Sequence, residues 1–302
     1  MENRPVPLGL DFGGTKIAAL ALDPDGHTLW ETRVPTPRGD YHASLEAIAA
    51  LVSGGEHAIG RACSVGIGIP GAISPATGLV KNANSTWLNG RPLHADLERR
   101  LDRPVRLEND ANCLALSEAA DGAAAGADVV FAVILGTGVG GGLVVHGRVI
   151  TGRNAIAGEW GHNPLPWPEP DERPGPRCYC GKDGCIETLL SGPGLAAGYR
   201  AHTGVDVRGE EVVARADAGE PAAAAALATW EQRLARALAT VINVVDPDVI
   251  VVGGGLSRIA RLYDRVPPLL SAWVFSDRVE TLLVPARHGD ASGVRGAARL
   301  WS

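Results

Sequence analysis

Residues 8–22 read LGLDFGGTKIAALAL. Two apolar runs flank a turn of two glycines, a threonine and a lysine, with Asp11 at its entrance. The first run, Pro7–Leu10, has the length and character of a strand, and IAALAL reads as a second. Strong turn chemistry between the two apolar runs reads as an antiparallel pair. The turn DPDG (23–26) and the run HTLWETRV follow, which extends the hairpin into an antiparallel meander. Glycine lets the backbone approach a ligand closely and aim N–H groups at phosphate oxygens, so the turn after Asp11 is also a candidate phosphate cradle.

Outward from this stretch, the spacing predicts a helix near 42–53, with Leu45, Ile48, Ala49 and Val52 on one face. A strand over 63–70, a loop KNANSTWLNG (81–90), a short helix near 93–101 and the strand VRLEN (105–109) precede the helix DANCLALSEAA (110–120). The opening plan then recurs: strand VVFAVIL (129–135), glycine turn GTGVGGG, strand LVVH, and a turn and strand in HGRVI. A long amphipathic helix is predicted over 221–244, ending at Asp246-Pro247, and the strand VIVV (249–252) runs into Gly253-Gly254-Gly255. The repeat is too long for a solenoid and predicts an α/β protein of two related domains facing each other. Residues 1–115 with a returning C-terminal helix (290–302) are expected to form the first domain, and 116–289 the second.

Composition limits the function classes. Apolar residues make up 45 % and charged residues 21 % of 302, ordinary for a globular chain. The net charge of −6 gives nucleic acid no electrostatic encouragement. No secretory h-region precedes LDFGG, and no apolar run approaches a membrane span, so a cytoplasmic protein without membrane or nucleic-acid partners is expected. Only three of 28 basic residues are lysines, Lys16, Lys81 and Lys182, each beside a Gly- or Asn-rich segment. Compact phosphate contact is one use for which lysine differs from arginine.

Three glycine turns each follow an apolar strand: Gly13-Gly14, Gly136-Thr137-Gly138 and Gly253-Gly254-Gly255. GTGVGG also fits G-x-G-x-x-G, but strand-like LVVHGRV follows it where a dinucleotide fingerprint needs a helix, and no Walker A loop occurs. Phosphate would have to be held by hairpin turns.

Other polar groups cluster in four places. Asn109-Asp110 stands where a strand meets a helix; either residue serves as an N-cap, and a carboxylate at a strand's C-terminal end is also where α/β proteins place catalysts. GEWGH (158–162) offers Glu159 and His162 three apart, and NANSTW (82–87) offers Asn84 and Trp87. CYCGKDGCIE (178–187) holds three of the five cysteines. Cysteines one residue apart rarely bridge, a C-x-x-C motif is absent, and reduced thiols are expected, so Cys178, Cys180 and Cys185 suit Zn²⁺ with one ligand missing. His162, sixteen residues upstream across the Pro-rich excursion 163–176, is the best candidate for the fourth. A site with four protein ligands has no open position and is structural. Cys63 and Cys113 lie in apolar contexts and are expected in the core.

Together, LDFGGTK, ILGTGVGGG and VVGGG resemble the sugar kinase/hexokinase/actin superfamily, and within it the ROK family (repressor, open reading frame, kinase), over nearly the whole chain. The resemblance implies an actin-like, hexokinase-type (ribonuclease H-like) fold with a duplicated mixed sheet and a cleft between domains. It implies ATP and Mg²⁺ as cofactors, with Asp11, Gly13, Gly14, Thr15 and Lys16 near phosphate and Mg²⁺, Gly136, Thr137 and Gly138 near phosphate, and Gly254 and Gly255 near adenosine. ENDANC resembles the family's catalytic segment, which implies Asp110 as general base and Asn109 as a sugar contact. Glu159, His162 and Glu187 are implied at the sugar, with Gly71 and Asn84 in its neighbourhood. GHNPLP…CYCGKDGCIE resembles the family's zinc motif.

The activity so implied is ATP:hexose 6-phosphotransfer in a homodimer, the sugar binding between domains that close on it. KNANSTWLNG, AGEWGHNPLPW and CYCGKDGCIETLLSG are most similar to bacterial fructokinases, also called manno(fructo)kinases, which implies D-fructose as substrate. Mannose, glucose and N-acetylmannosamine stand as alternatives, because no physical argument from sequence separates them. A sugar-sensing repressor of the same fold would carry a helix-turn-helix before LDFGGTK, which is not expected here, and intact glycine turns with Asp110 argue against a catalytically silent sugar binder.

Overall fold

The computed structural model describes residues 5–301. Residues 1–4 and 302, where the expected first domain begins and ends and where part of the N-terminal segment expected to hold no secretory leader falls, lie outside the described residues. Strands β1 (Val6–Phe12), β2 (Lys16–Leu22) and β3 (Thr28–Pro35) form the expected antiparallel meander, with Asp11 opposite Ala18. Helix α1 (Tyr41–Ile59) then leads to β4 (Cys63–Ile69), which pairs parallel to β1. Its N-terminus is capped by Asp40, which accepts from the Ala43 amide at 2.9 Å. A two-strand ribbon, β5 (Ala72–Ile73) and β6 (Val80–Lys81), and helix α2 (Leu93–Leu101) precede β7 (Val105–Asn109), parallel to β4, and helix α3 (Asp110–Asp121).

The same plan then repeats. Strands β8 (Val129–Leu135), β9 (Val139–Val145) and β10 (Arg148–Val149) are followed by helices α4 (Ile186–Leu190), α5 (Gly192–Thr203), α6 (Gly209–Asp217) and α7 (Pro221–Val245). Strand β11 (Val249–Gly253), helix α8 (Leu262–Leu270), strand β12 (Leu282–Pro285) and helix α9 (Ser292–Arg299) complete the chain. Sheet orders are β3-β2-β1-β4-β7 and β10-β9-β8-β11-β12. The two orders have one topology, so the duplicated mixed sheet read from the sequence is present.

The described chain divides into two compact units. The first comprises the described part of Met1–Ala125, Gly142–Ala157 and Asp290–Ser302, and the second Gly126–Gly141 with Gly158–Gly289. The expected limit at residue 115 would cut α3, whose buried face runs on through Ser117 and Glu118 against α9. Residues 142–157 fall with the first unit because Leu143 N–H donates to Asn112 Oδ1 (3.3 Å) and Thr151 Oγ1 donates to Glu108 Oε2 (2.8 Å).

Leu8, Leu10, Ile17, Ile48, Val65 and Ile67 form the centre of the first core. In the second unit, α7 buries Leu227, Trp230, Leu234 and Leu238, each worth about 1.5–3 kcal/mol on burial. It begins with Pro221, which needs no amide partner there, and ends on the left-handed Asp246 before Pro247. Burial alone would raise the Glu172 carboxyl, but the guanidiniums of Arg236 and Arg233 on α7 outweigh it and hold it at about 2. That ion pair anchors the Pro-rich excursion on the helix.

Candidate active site

Strands β1, β4 and β7 are parallel and in register, so their C-terminal ends share one edge of the first sheet. Open α/β sheets place ligands at that edge. The structure brings the Gly13–Lys16 turn, Gly71 and Asn109-Asp110 there. The turn is tied from behind: Thr36 Oγ1 donates to Gly13 O (2.7 Å), Arg38 Nε to Gly14 O (2.8 Å) and Thr36 N–H to Thr15 O (3.0 Å). The carbonyls are thereby engaged, while the amides of Gly14 and Thr15 find no acceptor among the described residues. Burial pushes the Asp11 carboxyl up to about 6 against the pull of Lys16. Gly293, in the first turn of α9, lies against that carboxylate, where a side chain would intrude at 3.2 Å.

Asn109 is the N-cap of α3, so the capping reading of this pair holds. Its Oδ1 accepts from Ala111 N–H (2.9 Å) and its Nδ2 donates to Gly71 O (3.0 Å). One N–H and one lone pair of the amide remain for a sugar hydroxyl. Asp110 Oδ1 also accepts from Ala111 N–H, at 2.8 Å, which fixes the carboxylate at the strand end. Gly71 has φ +74°, and a side chain there would meet Lys81 O at 2.3 Å, so only glycine allows this approach. Lys81 Nζ donates to Asn154 O (2.5 Å), a structural use that the phosphate reading of the lysines does not foresee. Asn84 is exposed on the same loop. Glu108, which the sequence reading passed over, holds Asn109 N–H, Asn112 Nδ2 and Thr151 Oγ1 together.

In the second unit, β8 and β11 are parallel, and the Gly136–Gly138 and Gly254-Gly255 turns follow their adjacent ends. Gly254 stands so close that a side chain would meet Leu135 O at 2.4 Å. Strand β9 already begins at Val139, so part of the predicted glycine turn is strand, and no helix follows. Glu187 Oε2 accepts from Val139 N–H (2.9 Å), which places this carboxylate at the Gly136–Gly138 turn. Glu159 precedes a single 3-10 turn, Trp160–His162, held on β9 by Trp160 Nε1 donating to Gly140 O (2.9 Å). The exposed Tyr179, also unforeseen, has its hydroxyl 2.9 Å from His162 Nε2. Although the residue as a whole is exposed, desolvation around its hydroxyl pushes the phenol up to about 12, with the charges of Glu187, Cys178 and Glu159 adding to the effect. Tyr179 therefore contacts His162 and lies within the field of Glu187 and Glu159.

His162 and the three cysteines also converge. Hydrogen bonds from Leu165 N–H to Gly184 O and from Ile186 N–H to Asn163 O, both 2.9 Å, zip the two segments together. The four ligand atoms lie within 4.8 Å of one another, with His162 Nδ1 3.5 Å from Cys178 Sγ and Cys180 Sγ 3.6 Å from Cys185 Sγ. A tetrahedral zinc with Zn–S near ~2.3 Å sets such atoms about 3.5–3.8 Å apart, so the residues fit that ion. Burial and the neighbouring thiols push Cys185 up to about 12, so holding it as a thiolate beside Cys178 and Cys180 would take a cation at this point. Both His162 nitrogens are thus engaged, and a sugar contact by this ring has to take the place of the Tyr179 hydroxyl. Cys63 and Cys113 are buried, as expected.

The profile of the ROK family matches residues 7–302. An N-acetyl-D-glucosamine kinase of Escherichia coli O9:H4 (strain HS) is 45 % identical over 300 residues, covering 97 % of this chain and 98 % of its own. A ROK hexokinase from Thermus thermophilus superposes with TM-score 0.86 at 33 % identity over 97 % of this chain and 96 % of that one. A ROK glucokinase from Streptomyces griseus, solved with glucose and AMPPNP, superposes with TM-score 0.78 at 30 % identity over 98 % of each chain. The hexokinase-type fold and the duplicated sheets agree with both structures, and the chain belongs to the ROK family.

Proposed function

We propose that this ROK-family sugar kinase transfers the γ-phosphoryl group of ATP to the 6-hydroxyl of an aldohexose, with N-acetyl-D-glucosamine as the preferred acceptor. The observation that carries the chemistry is Asp110, held at the C-terminal end of β7 on the same sheet edge as the Gly13–Lys16 turn. Phosphoryl transfer asks little covalent work of a protein beyond positioning, charge stabilisation and a base for the acceptor. Asp110 orients the sugar hydroxyl and takes its proton. As the new P–O6 bond forms, the bond from the γ-phosphorus to the β,γ-bridging oxygen breaks, and ADP leaves with that electron pair. The amides of Gly14 and Thr15 hold phosphate oxygens, and Gly136–Gly138 and Gly254-Gly255 serve the rest of the nucleotide.

Asp11 and Lys16 are the residues to hold Mg²⁺ and phosphate. Mg²⁺, when bound, supplies neutralisation of the phosphate charge. Asn109, Glu159 and Glu187 hold sugar hydroxyls. His162, Cys178, Cys180 and Cys185 would hold a structural Zn²⁺ that fixes the loop between Glu159 and Glu187. A homodimer, implied by the family resemblance, belongs to the same proposal. So does a cytosolic setting: no helix among the described residues is long and apolar enough to cross a membrane.

The choice of acceptor departs from the expectation of fructose. That expectation rests on three short segments, whereas the similarity to N-acetyl-D-glucosamine kinases extends over 97 % of the chain. A coupled ADP-release assay with N-acetyl-D-glucosamine, glucose, mannose, N-acetylmannosamine and fructose tests it. The highest kcat/KM on N-acetyl-D-glucosamine supports the proposal; a higher value on fructose restores the fructokinase reading, and no turnover on any of them removes the kinase.

A further inference from the structure

The loop between β6 and α2 contains polar atoms that no group in the described protein satisfies. Ser85 is 2 % exposed, and its hydroxyl has no hydrogen-bond partner; the buried Trp87 Nε1, two residues on, has none either. Ser85 occupies the cap position of the short turn Thr86–Leu88, yet makes no side-chain cap bond, so local structure does not account for it. An unpaired buried hydroxyl costs about 1–3 kcal/mol, and its retention in a native fold calls for an explanation.

The neighbourhood supplies one. The Ser85 Oγ lies 3.6 Å from the point where a side chain on Gly14 would begin, and among the described residues no other atom beyond the adjacent ones comes within 4 Å of that point. The hydroxyl thus stands at the Gly13–Lys16 turn, whose Gly14 and Thr15 amides are unspent and whose carbonyls are tied away. Three donors around one glycine, with no acceptor among them in use, match an anionic oxygen. A hydroxyl on such an oxygen makes a charge-assisted bond, stronger than one to a neutral acceptor.

We infer that Ser85 is a phosphate-contacting residue, its hydroxyl donating to an oxygen of the γ-phosphoryl group. This rests on the kinase reading above and extends the nucleotide site to a loop outside the glycine turns.

The test compares the full chain with Ser85→Ala and Ser85→Cys by steady-state kinetics, by calorimetric titration with a non-hydrolysable ATP analogue and by thermal melting. Losing a charge-assisted bond lowers kcat/KM for ATP and analogue affinity about ten- to hundredfold, with Ser85→Cys between the two. KM for the sugar stays within about twofold. Because the lost hydroxyl was unpaired, Ser85→Ala melts at the wild-type temperature or above it. Unchanged nucleotide parameters, or a drop in Tm without them, overturn the inference and make Ser85 structural. A change confined to the sugar KM also overturns it, assigning the hydroxyl to the acceptor. Should the wild type turn over no sugar, the kinase reading fails on its own, and the calorimetric comparison still decides whether Ser85 meets a triphosphate.

Discussion

Gly161→Ala isolates the contact that positions the carboxylate and imidazole of the second unit. A methyl on Gly161 falls 2.1 Å from Val139 O and 3.1 Å from Val139 C, against an ordinary carbon–oxygen contact near ~3.3 Å. The overlap is about 1 Å, and it is with backbone, so no side chain can rotate away. Val139 cannot yield easily, because its N–H is held by Glu187 and the next carbonyl by the Trp160 indole. The Trp160–His162 turn must therefore lift by about 1 Å, carrying Glu159 and His162 with it. Overpacking of this kind costs about 1–3 kcal/mol, a fall in Tm of roughly 2–4 °C for each kcal/mol in a protein of this size. A 1 Å misplacement of positioning groups costs about a hundredfold in rate. The expected result is kcat/KM for the sugar down about a hundredfold with a melting transition only several degrees lower. Gly198→Ala is the control: it lies in α5 with nothing nearer than Arg233 Nη1 at 3.8 Å, and replacing glycine in a helix stabilises by about 0.5–1 kcal/mol. Wild-type sugar kinetics in Gly161→Ala would refute the idea that β9 positions Glu159 and His162.

Asp110→Asn keeps the bond to Ala111 N–H but cannot accept the proton, so turnover should fall by at least about 10²–10⁴ while sugar affinity by calorimetry stays within a few-fold; retained turnover places the base elsewhere. Asp11 titrates near 6, above its ordinary 3.8. Its carboxylate form is lost as pH falls through about 6, so kcat/KM for Mg-ATP should decline on that side, whereas a limb near 4 contradicts the assignment. The stability consequence has the opposite sign: the folded state loses stability as pH rises from about 4 to 6, because the unfolded chain ionises first. Elemental analysis should find one zinc per chain, and chelation should lower Tm and raise the sugar KM at least about tenfold; a chain free of zinc with full activity excludes the metal's role.

The first hairpin, the strand VRLEN and the helix of residues 221–245 are legible because local period and turn chemistry agree with the fold. Helix α8 is not, since Pro267-Pro268 signals a break that tertiary packing of Leu262, Val266 and Leu270 overrides. GPG at 192–194, which no helical period marks, forms the start of α5, where Ser191 caps the Gly194 amide and proline is tolerated. The candidate site shows the same division. Asp110, the glycine turns and the cysteines carry chemistry that their residue types announce. Glu108, Tyr179 and Ser85 do not: their roles arise from Thr151, His162 and Gly14, partners 17 to 71 positions away. No local pattern marks such pairs; only packing does.

The most direct test of the account is phosphorus NMR of a reaction holding the purified chain, Mg-ATP and N-acetyl-D-glucosamine. The account predicts a phosphomonoester resonance coupled to the C6 protons, formed in step with ADP and absent with Asp110→Asn. ADP without a sugar phosphoester, or a phosphoester at another carbon, contradicts it.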